Sequence, residues 1–149
     1  MNLFGMLELS GSALTAERQR AEVVAANMAN AETTRTEPGG GPYRRQLVVF
    51  RSQRMPRFPL LLADASGGLP DQSARGVRVS QVIADSAAPL ERYQPGHPDA
   101  DSKGYVAYPA INPVEEMTDL LGAARAYELN ASAVQAAKTM LQQSLDLLR

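Results

Sequence analysis

The sequence predicts an α+β protein in which long N- and C-terminal helices pair as an antiparallel coiled coil, with a small β-rich middle region between them. Three observations lead there. Apolar residues recur at 3-4 spacing without interruption from Asn112 to Arg149. A second stripe of the same kind runs from residue 2 to about 31. Between them the pattern changes to short runs rich in β-branched and aromatic residues, punctuated by Gly and Pro. The predicted organisation is therefore residues 1–31 together with 112–149 as a helical core, and 32–111 as the β-rich middle, with a variable loop at 56–75.

Composition narrows the function. A chain of 149 residues can bury one core, and its net charge of −1 gives no overall pull toward nucleic acid or a membrane surface. There are no cysteines, which excludes disulfides and thiolate metal sites. Aromatic residues make up only 5%, which favours helix packing over a rich ligand pocket. Met1 to Gly5 carry no basic segment and no long apolar run, so no cleavable signal peptide is expected, nor any membrane span.

In the N-terminal helix Leu7, Leu14, Ala21 and Met28 recur every seven residues. Gly11 weakens its middle by roughly 1 kcal/mol relative to Ala, so the helix needs a partner. It ends at Asn27 and Asn30. Asn30 suits a helix C-cap, whereas Asn27, one turn earlier, costs helix propensity with no capping return. Gly39–Pro42 reads as a turn and Tyr43–Phe50 as a strand. Arg35, Arg44, Arg45, Arg51, Arg54 and Arg57 make this region basic; such a patch can meet phosphate, but with no aromatic interleaving and a net charge near zero it reads as a solvated face or as partners for acidic neighbours. Gly76–Ala84 alternates at Val77 and Val79 and then slips register at Val82 and Ile83, which predicts a strand with a bulge. Leu90–Tyr93 and Tyr105–Tyr108 are short extended pieces, and the strands together suggest one small antiparallel unit.

The C-terminal helix opens on Asn112 as N-cap, with Pro113 at the first helical position and Glu115 closing a capping box; Glu115 and Glu116 are both explained by this end. Its heptad positions are Met117, Ala124, Ala131, Lys138, Leu145 and Leu120, Tyr127, Val134, Leu141, Leu148. Only Lys138 breaks the apolar pattern. Such a helix would be about 55 Å long, more than a compact domain of this size is wide.

Catalytic signals are thin. His97, Asp99 and Asp101 could form an acid–base or metal set, but they lie in a Pro- and Gly-rich turn with no second His and no Cys. No nucleophile elbow and no phosphate-cradling glycine loop occurs. No cofactor, metal or small-molecule substrate is expected.

Ala26-Asn27-Met28-Ala29-Asn30-Ala31 resembles the box that ends the N-terminal helix in the axial proteins of the bacterial flagellum, the rod, hook and hook-associated proteins. Thr33–Gly40, Pro42–Gln46, Val48–Phe50, His97–Asp101, Gly104–Pro109, Glu115–Met117 and Arg125–Asn130 are similar to segments of the proximal rod members of that family. Two departures stand out: Glu37 and Pro38 come in the reverse of the usual order, and residues 56–75 match no family pattern. The resemblance implies a non-enzymatic rod subunit of the basal body, spanning the periplasm and exported unfolded by the flagellar type III apparatus. Implied partners are copies of itself, other rod proteins and the basal protein FliE at the membrane ring, with no nucleic acid. The expected assembly residues are Met117, Leu120, Ala124, Tyr127, Val134 and Leu141 with Leu7, Leu14, Ala21 and Met28. Asn27 and Asn30 are expected to fix the joint between helices and β region, with amide bonds across protomers. Lys138 would meet a neighbour's carboxylate or face the channel. Two rival readings are a cytoplasmic helical adaptor and a cell-wall-acting enzyme using His97, Asp99 and Asp101.

Overall fold

A computed structural model of the chain describes residues 3–36, 40–54 and 75–146. Glu37 to Gly39, the Leu148 end of the predicted seam and the 56–75 loop up to residue 74 lie outside the described residues. Among the described residues the architecture is two long helices, α1 (Leu3–Ala29) and α2 (Pro113–Asp146), with four strands between them in sequence: β1 (Gln46–Arg54), β2 (Arg75–Ala84), β3 (Leu90–Tyr93) and β4 (Tyr105–Tyr108).

Local chemistry explains the helix ends. Asn112 Oδ1 accepts from the Val114 amide at 3.1 Å, and its carbonyl accepts the first helical bond from the Glu116 amide at 3.1 Å. The Asn112 side-chain amide donates to Glu115 Oε1 at 3.2 Å, so Glu115 closes the cap through the side chain rather than the backbone. At the end of α1, Asn30 Nδ2 donates to the Ala26 carbonyl at 2.9 Å, and Asn30 Oδ1 accepts from Thr33 Oγ1 at 3.1 Å. Asn30 thus caps by its side chain, with no left-handed backbone; among the described residues only Gly40 and Gly104 have positive φ.

The helices run antiparallel, as the cross-contacts Arg20–Asp119 and Asn27–Glu116 require. Among the described elements α2 packs only on α1, so the buried face of α2 is its α1 face. That face carries Glu116, Ala123 and Ala137, with Leu120, Val134 and Leu141 half-buried beside them. The other heptad row, Met117, Ala124, Ala131, Lys138 and Leu145, is exposed, and Tyr127 is partly so. The small side chains at 123 and 137 let the backbones approach closely, and this selects the row one position before Met117 for the intrachain contact. Leu7, Leu14, Ala21 and Met28 are all half-buried on α1.

α1 also packs against β2 and β1. Ser12 Oγ accepts from the Val77 amide at 3.1 Å, which ties the middle of α1 to β2. β1 and β2 pair antiparallel, with Val49 opposite Gln81 and Phe50 opposite Val79. Ser80 is therefore the extra residue of a bulge, and its hydroxyl donates to the Val49 carbonyl at 3.0 Å. The expected slip of register is present, two residues earlier than Val82. β3 and β4 pair separately, Leu90 opposite Tyr108 and Tyr93 opposite Tyr105. The strands thus form two two-stranded ladders rather than one unit. The second is braced by its own tyrosines: Tyr93 and Tyr105 meet edge-on, and Arg92 lies 4.6 Å over the Tyr108 ring.

Candidate functional site

The polar centre of the molecule lies where α1 ends, β1 begins and α2 begins. Asn27 is 1% exposed there, and its amide is saturated. Nδ2 donates to the Gln46 carbonyl at 2.9 Å and to Glu116 Oε2 at 3.0 Å. Oδ1 accepts from the Gln46 amide at 2.8 Å and from the Tyr43 hydroxyl at 3.2 Å. Two donors and two acceptors are in place, which is all an asparagine can offer. One side chain therefore does the work of a strand neighbour for Gln46 while holding the first turn of α2.

Glu116 is equally buried, at 1% exposure. Its Oε1 accepts from Arg45 Nε and lies against Arg45 Nη2, each at 2.6 Å, so two guanidinium nitrogens converge on one carboxylate oxygen in a charge-assisted pair. The chain of charges continues through Arg45 Nη2 to Asp119 Oδ2 at 3.9 Å, Asp119 Oδ1 to Arg20 Nη2 at 3.2 Å, and Arg20 Nη1 to Glu17 Oε2 at 3.8 Å. Burial, and secondarily the Glu116 charge, push the Tyr43 hydroxyl pKa above its usual 10. Beside this network a groove of about 350 Å³ runs between α1 and β1, lined by Val23, Val24, Leu47 and Phe50 among others.

The structure reassigns several residues read from the sequence. Glu116, read as a charge of the helix end, stands in that first turn and is also buried against Arg45. Asn27 makes all its bonds within one chain, and Asn30 stands apart from the network as a cap. The basic region divides: Arg45 joins Glu116, Arg35 pairs with Asp99 at 2.6 Å, and Arg44 and Arg51 stay exposed. Asp99 also accepts from Thr34 Oγ1 at 2.8 Å, fastening the segment after α1 to the turn before β4. Asp101 Oδ1 accepts the amides of Lys103 and Tyr105, and His97 Nδ1 accepts the Asp99 amide at 3.1 Å. Among the described residues no three His, Cys, Asp or Glu side chains are arranged to hold a metal ion, and no helix is long and apolar enough to cross a membrane. Sequence reasoning missed Glu116 as a joint residue. Its signal was the seven-residue spacing to Ala123 and Ala137, the two residues that are buried on α2.

A family model described as "Flagella basal body rod protein" matches residues 7–35, which span α1 and its cap. A second, "Flagellar basal body rod FlgEFG protein C-terminal", matches residues 102–147, which span β4 and α2. The whole chain is similar to proteins named flagellar basal-body rod protein FlgC. It is 38% identical to that of Borreliella burgdorferi over 100% of this chain and 99% of the relative. It is 39% identical to that of Bacillus subtilis, with 99% of each covered, and 37% identical to that of Salmonella typhimurium, with 99% and 98% covered. The chain belongs to the FlgC family. As a FlgC-family protein it is a structural subunit of the flagellar basal-body rod, and it resides there. The two matched segments meet in space at the joint: Asn27 comes from the first, Glu116 from the second.

Proposed function

We propose that this FlgC-family subunit belongs to the proximal part of the rod. There it assembles with copies of itself, with other rod proteins and with FliE at the membrane ring. It reaches the rod unfolded through the flagellar type III apparatus and carries torque without catalysing a reaction. The observation that carries the assembly reading is the large apolar surface the helix pair leaves uncovered. Met117 and Leu121 are each 55% exposed on α2, and Val114, Leu129 and Leu145 are more so. Surface of this size and pattern on a helix marks a protein contact. The non-catalytic reading is supported by the local engagement of His97, Asp99 and Asp101 described above. The helices and their joint would form the inner layer of the tube, packed in a heterologous, non-closing arrangement, with the β ladders outside.

The test is complementation of a strain lacking the native copy. Leu121→Asp alters the outward row and should abolish swimming while leaving the purified protein's circular dichroism unchanged. Normal swimming with Leu121→Asp would overturn the assembly reading. Leu120→Asp, on the half-buried row beside α1, should instead lower the stability of the purified protein as well.

A further inference from the structure

Arg51 and Arg78 stand directly opposite each other in the β1–β2 ladder, and both are exposed. Among the described residues neither guanidinium has an ion-pair or hydrogen-bond partner. Like charges at directly opposed strand positions are destabilising. The two strands contain no acidic residue. Arg51 and Arg78 are thus a basic pair with no acidic neighbour on either strand.

The same hairpin face carries an apolar group. Ile83 pairs with Leu47, four residues before Arg51 on β1, so alternation places Ile83 on the face of Arg51 and Arg78, about 13 Å away along the strand. Ile83 is 40% exposed. On the outward face of α2 the complement appears. Met117, Leu121 and Glu128 fall within a narrow arc at spacings of four and seven residues, and all three are exposed. Glu128 lies about 10 Å beyond Leu121 and about 16 Å beyond Met117 along the axis. It too has no ion-pair partner among the described residues. Apolar and charged groups are therefore spaced alike on the two surfaces, with opposite sign of charge.

We propose that the face of the β1–β2 hairpin that carries Ile83, Arg51 and Arg78 in one copy docks on the outward face of α2 of a second copy, with Ile83 against Met117 and Leu121 and the Arg51–Arg78 pair against Glu128. The inference rests on the rod-subunit reading and names one of its contacts. Because the two surfaces differ, the contact is heterologous and propagates rather than closing a dimer. The like-charge cost in the free subunit is relieved when a carboxylate arrives, so the contact favours the assembled state over the monomer.

The chain has no cysteine, so introduced thiols report without background. Differently tagged Arg78→Cys and Glu128→Cys chains are co-expressed in cells lacking the native copy, and isolated basal bodies are treated with a short bis-maleimide. A mixed dimer should form at least tenfold above a control pair of Arg78→Cys with Arg18→Cys. Both variants present in basal bodies with no dimer above control would overturn this contact and leave the rod reading intact. Absence of the wild-type chain from basal bodies would instead overturn the rod reading, and this contact with it. A charge exchange keeps the proposal testable if a cysteine blocks incorporation: Arg78→Glu should impair swimming and Glu128→Arg in the same chain should restore it. Failure to restore would overturn the contact.

Discussion

The buried pair at the joint makes a quantitative prediction. Removing one partner of a buried ion pair costs about 3–5 kcal/mol, because the other charge is left without compensation. The geometry ranks the two removals. In Glu116→Ala, Arg45 keeps 22% side-chain exposure and has Asp119 at 3.9 Å, so some compensation remains and the cost should be near 3 kcal/mol. In Arg45→Met, the Glu116 carboxylate stays 1% exposed with only Asn27 donating to it, so the cost should reach the upper end, about 4–5 kcal/mol. Replacing both, Arg45→Met with Glu116→Met, removes both desolvation penalties and should bring stability back to within about 1–2 kcal/mol of wild type. Urea unfolding followed by circular dichroism at low protein concentration measures all four corners of the cycle. Two single variants that each cost under about 1 kcal/mol and simply add would refute the account of the joint as a coupled, buried network.

Two further substitutions probe other parts of the fold. Tyr43→Phe loses the 3.2 Å bond to Asn27 and should cost about 1 kcal/mol at neutral pH. Because the folded-state pKa of Tyr43 lies above the usual 10, its contribution is complete below pH 10 and is lost as pH rises through the folded value; the gap between wild type and Tyr43→Phe should narrow above pH 10, and a constant gap would contradict this. Gly104 has φ +82°, and a Cβ there would sit 2.9 Å from Tyr93 Cε2 and 3.2 Å from Pro95 Cβ. Gly104→Ala should therefore destabilise by about 1–3 kcal/mol, visible as a lowered Tm, and an unchanged Tm would count against the β3–β4 turn described here.

What the sequence made legible was local. The Asn112 cap, the Asn30 cap, the bulged strand and the two four-residue extended pieces each follow from residues a few positions apart, and each is present. What stayed hidden depends on tertiary approach. Arg45 and Glu116 are 71 residues apart, and apart from its seven-residue spacing to Ala123 and Ala137 nothing distinguishes Glu116, beside a capping Glu115, from an ordinary first-turn acid. An asparagine inside a helix is costly, which singles out Asn27, yet its partners Gln46 and Glu116 lie on two other elements. The heptad pattern was ambiguous for a related reason. α2 carries apolar side chains on more than one arc, so periodicity alone gives two adjacent candidate rows. Backbone proximity then favours the row whose members are small, Ala123 and Ala137, over the row of Met117 and Leu145.

That division of side chains has a consequence for the free subunit. On α2 the contact with α1 fully buries only small apolar residues, Ala123 and Ala137, with Leu120, Val134 and Leu141 half-buried, while Met117, Leu121, Leu129, Met140 and Leu145 remain outside. Hydrophobic stabilisation scales with apolar area removed from water, at roughly 25 cal/mol per Å², so alanines contribute far less than the excluded side chains would. The polar joint, with its saturated hydrogen bonds, adds a link between the helices that lies at one end of them. Local stability should therefore fall along α2 with distance from Glu116. Amide exchange of the isolated protein is expected to be slowest at residues 20–30, 43–49 and 116–123 and fastest at 138–146. In assembled rods, neighbours cover the outward row and the gradient should flatten. Uniformly strong protection along α2 in a clean monomer would mean that the helix pair is stable without neighbours, and the outward apolar row would then need a different explanation.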